Sequence, residues 1–219
     1  MKPAENDSFY YSPFEERLNV ISHGIGVILG IVALVFLVIH ASQNGTASHI
    51  VSFSIYGASM IILYLASTLY HLAKKPKARK RLRIFDHAAI YVLIAGTYTP
   101  FTLVTLNGVV GWTIFGLVWG FALTGIILKL FYTGKFDKLS TFMYVAMGWL
   151  IIFAIKPLIE NFSSDGLFWL LAGGIAYTIG AVLYSFQQLP LNHAIFHVFV
   201  LTGSAFHFVS VYSYVLPKV

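Results

Sequence analysis

The chain has 219 residues, of which 58% are hydrophobic and only 10% are charged, and its formal net charge is +6. Soluble domains contain roughly 25% charged residues, so this composition excludes an ordinary soluble domain and indicates an integral membrane protein. Seven of the 14 basic residues lie in one short segment, at positions 74–83, which is typical of a membrane topology signal and argues against a nucleic-acid-binding surface.

Seven apolar segments are each close to the roughly 20 residues that a helix needs to cross the hydrocarbon core of a bilayer. They cover positions 18–40, 49–71, 86–106, 110–131, 139–157, 167–186 and 193–215. Turn-forming residues separate them, and no linker is long enough to divide the chain into domains. We therefore predict an all-α membrane protein, a single domain over positions 1–219 that forms a seven-transmembrane helix bundle.

The basic residues also predict how the bundle is oriented. If the N-terminus is cytoplasmic and the C-terminus is outside, only Lys156 and Lys218 among the basic residues lie on the outer side. Because positive charge concentrates in cytoplasmic loops, this orientation is favoured over the reverse. We expect the protein in the cell membrane as a multi-pass protein.

Four ionisable side chains that are far apart in sequence are expected at the same end of the bundle. His71 ends the second span, Asp86 begins the third, and His193 and His197 lie on one face of the first two turns of the seventh. Catalytic zinc commonly has three protein ligands and an open position for water. We predict that the three histidines bind zinc and that Asp86 orients the water and accepts its proton.

Ser67 lies one helical turn before His71, so its hydroxyl is predicted to support a ligand or an oxyanion. The alternative is that the histidines lie at the membrane interface and that Asp86 caps the start of its helix. His207, about 15 Å beyond His197 along the helix, is expected to hydrogen-bond a neighbouring helix. A polar contact between helices is expected for His23, and His40 is expected to be solvated.

The same residues resemble the motifs of a known family. Ser67-x3-His71, the segment at positions 86–101 that begins with Asp86, and His193-x3-His197 are similar to motifs of the hemolysin III proteins, the bacterial branch of the progestin and adiponectin receptor (PAQR) family. The resemblance covers essentially the whole chain and extends to Glu16, Asn19 and His23. It implies a seven-helix bundle with zinc in its cytoplasmic half, bound by the three histidines, and an aspartate that acts through a water.

Three functions are compatible with these residues. The first is a zinc-dependent hydrolase within the membrane that acts on a lipid amide or ester, and the resemblance implies ceramide-like amides. The second is a pore-forming cytolysin, although a pore needs polar groups along its whole path. The third is a receptor-like or regulatory protein that zinc stabilises, with Asp86 as a fourth ligand. A membrane lipid is the expected substrate or ligand in the first case, and no nucleic acid is expected in any.

Overall fold

The structure, a computed structural model, describes residues 10–133 and 136–216. Lys218, one of the two basic residues predicted on the outer side, lies outside this part of the chain. The α-helices are α1 (Pro13–Asn44), α2 (Ala47–Leu72), α3 (Pro76–Pro100), α4 (Gly108–Tyr132), α5 (Asp137–Gly148), α6 (Ile155–Asn161), α7 (Ser164–Ser185) and α8 (Asn192–Ser210). Together with short π- and 3-10-helical segments they form seven spans, each long and apolar enough to cross a membrane. The predicted all-α bundle of seven membrane helices is confirmed.

Many large apolar side chains are exposed along these helices, including Ile28, Trp112 and Phe153. Exposed apolar faces of this extent suit contact with lipid rather than with water. The helix α1 packs against α2 and α8, α2 packs against α3, and α7 packs against α8. This packing brings the start of α1, the end of α2 and the start of α8 together at one end of the bundle.

The third span begins earlier than predicted. The helix α3 starts at Pro76, so most of the basic segment is the first part of a helix rather than a loop. Asp86 therefore lies within α3, and its interpretation as an N-terminal cap is wrong. At the other end, α-helical hydrogen bonding stops at Pro100 and a π-helix follows over Phe101–Leu106. Proline lacks the backbone N–H that a regular helix needs at that position.

The fifth span was predicted as one helix over 139–157 but is broken near its middle. The helix α5 ends at Gly148, a 3-10 segment covers Leu150–Ala154, and α6 completes the span. The Tyr98 hydroxyl on α3 donates to the carbonyl of Gly148 at 2.7 Å and accepts from the N–H of Ile151 at 2.9 Å. A side chain thus satisfies backbone groups on both sides of the break, as burial away from water requires.

At the end of the bundle opposite to the start of α1, His40 is buried rather than solvated, contrary to expectation. Its Nε2 donates to the carbonyl of Leu216 at 2.6 Å, and Asn44 contacts its Nδ1 at 3.2 Å. This contact ties the end of α1 to the end of the last span.

Two glycines of α1 offer a matched test of helix packing. A Cβ added to Gly26 would lie 2.7 Å from the Tyr64 ring of α2, whereas a Cβ added to Gly24 would meet nothing within 4 Å. We expect Gly26→Ala to destabilise the protein by about 1–3 kcal/mol through overpacking. Gly24→Ala should be neutral or stabilising, because alanine favours a helix over glycine. Unfolding of both variants in detergent, followed by circular dichroism, measures the difference, and equal stabilities would contradict this packing.

Candidate metal centre

Three histidine side chains converge at the end of the bundle where α1 and α8 begin. His71 lies at the end of α2, and His193 and His197 lie in the first two turns of α8. Nε2 of His193 is 3.1 Å from Nε2 of His71 and 3.0 Å from Nε2 of His197, and one nitrogen from each ring lies within 4.8 Å of the other two. All three residues are buried. We call these residues the histidine cluster.

The opposite nitrogen of each ring is held by a different oxygen. Nδ1 of His71 lies 2.8 Å from the carboxylate of Glu16, and Nδ1 of His197 lies 3.2 Å from the hydroxyl of Ser22. A carboxylate only accepts, and the Ser22 hydroxyl already donates to the carbonyl of Asn19. Both Nδ1 atoms therefore carry hydrogen, and both Nε2 atoms carry lone pairs.

His193 has an equivalent partner in Tyr11. The hydroxyl of Tyr11 lies 3.0 Å from Nδ1 of His193, and the two rings stack with centroids 4.5 Å apart. Burial raises the pKa of the Tyr11 phenol well above its usual range, so Tyr11 stays neutral and can accept from Nδ1–H. In the tautomer in which each Nδ1 carries the hydrogen, all three Nε2 lone pairs face a common point.

This arrangement fits a metal ion. Lone pairs that face one another over 3.0–3.1 Å repel, unless a cation lies among them. Zinc binds histidine at about 2.0–2.1 Å, so tetrahedral ligand nitrogens lie roughly 3.3 Å apart, close to the distances found here. The hydrogen bonds on Nδ1 are those that commonly orient metal-binding histidines. The three histidines could therefore hold a metal ion.

Arg79 supports the cluster although it belongs to the basic segment that was interpreted only as a topology signal. Its guanidinium forms an ion pair with Glu16, and its carbon Cζ lies over the rings of Tyr10 and Tyr70, 4.4 and 4.6 Å from their centroids. It also donates to main-chain carbonyls at the end of α2, including that of His71 at 3.4 Å. The carboxylate of Glu16 thus joins Arg79 to His71.

The start of α8 is fixed by three further hydrogen bonds. Leu191 adopts a left-handed conformation with φ of 59°, which is unusual for a residue other than glycine. Asn192 donates to the carbonyls of Tyr184 and Phe186, and the N–H of His193 donates to Glu15 at 3.2 Å. These bonds compensate the left-handed turn and set the direction in which α8 presents its histidines.

Asp86 and Ser67 lie beside the histidine cluster but outside it. Both are buried, and the Asp86 carboxylate lies next to Ser67 and within electrostatic range of His71. Asp86 is not among the residues whose ligand atoms lie within 4.8 Å of one another. The Ser67 hydroxyl has no well-aligned hydrogen-bond partner among the described residues. The catalytic roles assigned to Asp86 and Ser67 stay predictions.

His23 makes its contact between helices by stacking. Its ring lies flat on that of His197, with centroids 3.5 Å apart and planes 4° apart, and it meets Tyr64 edge-on. Both ring nitrogens are buried, and neither has a hydrogen-bond partner within the described part of the chain. His207 instead donates to the carbonyl of Leu170 on α7 at 3.0 Å, which confirms the expected hydrogen bond.

A cavity of about 150 Å³ begins at this centre and continues between α3, α5, α7 and α8. Asp86, His193 and His197 line one end of it, and aliphatic and aromatic side chains form most of the remaining wall. A mostly apolar cavity with a few polar groups at one end is typical of a small-molecule binding site.

Several supporting residues were missed in the sequence. Tyr11, Glu15, Ser22 and Arg79 contact the cluster or its partners, yet none was singled out as part of the site. One signal was present: Glu15, Asn19 and His23 recur every four residues along α1, and all three are buried. A polar stripe at this spacing in an apolar helix indicates a face that is turned inward.

Comparison with known proteins gives consistent similarities over nearly the whole chain. Residues 11–208 match the family model described as haemolysin-III related. The chain is 56% identical over 203 residues to Hemolysin-3 of Bacillus cereus, covering 93% of each chain. It is 52% identical over 200 residues to a Hemolysin-3 homolog of Bacillus subtilis, covering 91% of this chain and 94% of the relative. The human Monocyte to macrophage differentiation factor is 27% identical over 212 residues, covering 93% and 87%.

The histidine cluster predicts how metal content responds to mutation. We expect protein purified without chelators to hold about one zinc ion per chain, because three facing nitrogens match its preferred ligands. His71→Ala and His193→Ala should each lose most of it, while His207→Ala should keep it, since His207 lies about three turns further along α8. Elemental mass spectrometry of the purified proteins measures the number of zinc ions per chain. Equal metal content in all the proteins would contradict the site.

Arg79 and its neighbour Lys80 provide a second matched pair. Arg79→Ala leaves the carboxylate of Glu16 without its buried partner, which should destabilise the protein by about 3 kcal/mol and weaken metal retention. Lys80→Ala removes an exposed charge from the same segment and should change stability little. Thermal unfolding in detergent, with and without chelator, distinguishes the two. Equal effects would show that Arg79 serves only membrane topology.

Proposed function

Because the chain belongs to the haemolysin-III-related family, we propose that this multi-pass membrane protein is a zinc-dependent hydrolase of a lipid amide or ester. The observation that carries the proposal is the convergence of three histidine Nε2 atoms beside a buried carboxylate at the end of an apolar cavity. A zinc ion held by these residues supplies a Lewis acid and an activated water for hydrolysis.

The residues of the chain have separable roles in this reaction. His71, His193 and His197 hold the metal, and Glu16, Ser22 and Tyr11 keep their Nδ1 atoms protonated so that each Nε2 remains a ligand.

Asp86 accepts a proton from the attacking water and returns it to the leaving amine or alkoxide. Ser67 lies adjacent to that carboxylate, and its hydroxyl is the group that we propose to orient it during the reaction.

The position of Asp86 supports an open site over a closed structural one. A structural zinc site takes four protein ligands, and Asp86 is the fourth ligand that the regulatory alternative requires. Its carboxylate is not among the ligand atoms that lie within 4.8 Å of one another. Three protein ligands leave one position for water, which favours a hydrolase over a zinc-stabilised regulator.

The cavity supports a lipid as the substrate. Its polar end holds Asp86 and the histidines, and its walls are otherwise largely apolar. A molecule with one cleavable polar group and a long apolar chain matches this distribution. The pore hypothesis receives less support, because a conducting path needs polar groups along its whole length.

Replacement of Asp86 tests the proposed reaction. We expect Asp86→Asn to lower the hydrolysis rate by about a hundredfold or more, because proton transfer by a positioned side chain contributes 10²–10⁴. Zinc content should be retained, since the metal is held by histidines. The matched control is Asp165→Asn, which alters an exposed aspartate in the first turn of α7. Release of fatty acid from a panel of lipid amides and esters measures the rate.

A wild-type rate in Asp86→Asn would overturn the role of Asp86. Absence of turnover for every lipid in the wild-type protein, with zinc bound and stability lost on chelation, would overturn the hydrolase and favour the zinc-stabilised regulator.

A further inference from the structure

A second cavity continues the first toward the other end of the bundle. It has a volume of about 270 Å³ and is lined mainly by aliphatic side chains of α6, α7 and the 3-10 segment. Six residues line both cavities and therefore lie where the two meet: Thr97, Tyr98, Gly148, Trp149, Gly174 and His207. We call this part the waist. A chain that starts at the histidine cluster and fills both cavities passes through it.

His207, which lines both cavities, has a buried ring nitrogen that the proposed reaction does not use. Nε2 of His207 donates to the carbonyl of Leu170, and a carbonyl only accepts, so Nε2 carries the hydrogen. Nδ1 of neutral His207 therefore has a free lone pair, and it has no partner within the described part of the chain. The fold makes room for this ring, because a Cβ at Gly173 would lie 2.1 Å from its Cδ2. Burying an unpaired acceptor is unfavourable.

The donors of the other polar side chains at the waist are already used. The hydroxyls of Thr97 and Tyr98 each donate to a backbone carbonyl. The Trp149 indole N–H donates to the hydroxyl of Thr178, which itself donates to a carbonyl of its own helix. With Nε2–H of His207 also engaged, these groups offer a ligand acceptors only. The complementary ligand group is one that donates a hydrogen bond.

The distance along α8 places this acceptor relative to the metal centre. His207 follows His197 by ten residues in one continuous helix, which corresponds to about 15 Å at the helical rise. We infer that the lipid bound in this cavity carries a hydroxyl group about 15 Å from its hydrolysable group, and that Nδ1 of His207 accepts a hydrogen bond from that hydroxyl. This inference rests on the proposed function and narrows its substrate class to hydroxylated lipids.

A pair of fatty acids tests the inference by binding rather than by turnover. Ricinoleic acid and oleic acid have the same chain, but ricinoleic acid carries a hydroxyl near its middle. Their carboxylate represents the product side of a hydrolysed amide or ester and belongs at the histidine cluster. Titration calorimetry of the full-length, zinc-loaded protein in detergent gives both affinities. We expect the wild-type protein to bind ricinoleic acid about tenfold more tightly than oleic acid.

Variants of His207 assign the preference to one atom. In His207→Leu the hydroxyl has no acceptor, so the ratio of affinities should fall to one or below. His207→Gln retains an acceptor beside a donor for Leu170, and it should restore part of the preference. Zinc content and the elution profile of each variant report whether it is folded and loaded. If His207→Leu does not fold, the ratio of the two affinities in the wild-type protein and in His207→Gln still tests the hydroxyl site.

The outcomes separate this inference from the proposed function. Equal binding of the two acids by the wild-type protein, or an unchanged preference in His207→Leu, overturns the hydroxyl site and leaves the hydrolase standing. Failure of both acids to bind overturns the lipid cavity, and with it both proposals.

Discussion

Much of the surrounding structure serves to hold three histidine rings with their Nε2 atoms facing one another in the interior of a membrane protein. Their Nε2 atoms lie 3.0–3.1 Å apart in two of the pairs, with the rings buried. The Nδ1 atom of each ring contacts a separate oxygen, of Glu16, Ser22 or Tyr11, which orients the ring. With Nδ1 carrying the hydrogen on each ring, the three Nε2 atoms present lone pairs that a bound cation would neutralise.

The helices that carry these groups are locked by charged contacts at the same end of the bundle. Glu16 joins α1 to His71 on α2 and to Arg79 on α3, while Glu15 accepts from the first turn of α8. Four helices are thus coupled through two adjacent carboxylates. Because charged groups away from water are favourable only when paired, the geometry of the histidine cluster and the packing of the bundle depend on each other.

The sequence predicted the parts of this structure that depend on local patterns. Apolar segments of sufficient length identified all seven spans, and the four-residue spacing of His193 and His197 placed both on one helical face. The ends of the helices were harder to predict, because hydropathy indicates which residues contact lipid and does not indicate where a helix begins or ends. Lysine and arginine form helices well, so α3 begins at Pro76 within the basic segment. Asp86 is consequently no cap.

The residues around the cluster were not predictable, because their contacts arise only when distant helices meet. Tyr11 is 182 residues from His193, and Ser22 is 175 residues from His197. Arg79 resembles its exposed neighbours in sequence and differs from them only in its surroundings.

The break in the fifth span at Gly148 likewise depends on a tyrosine in another span, Tyr98. The Tyr98 hydroxyl bonds the backbone groups of Gly148 and Ile151, so α5 can end within the span. At that depth no water is available to replace the lost backbone hydrogen bonds. Tyr98 also lines both cavities, so the same side chain that stabilises the broken helix forms part of the cavity wall.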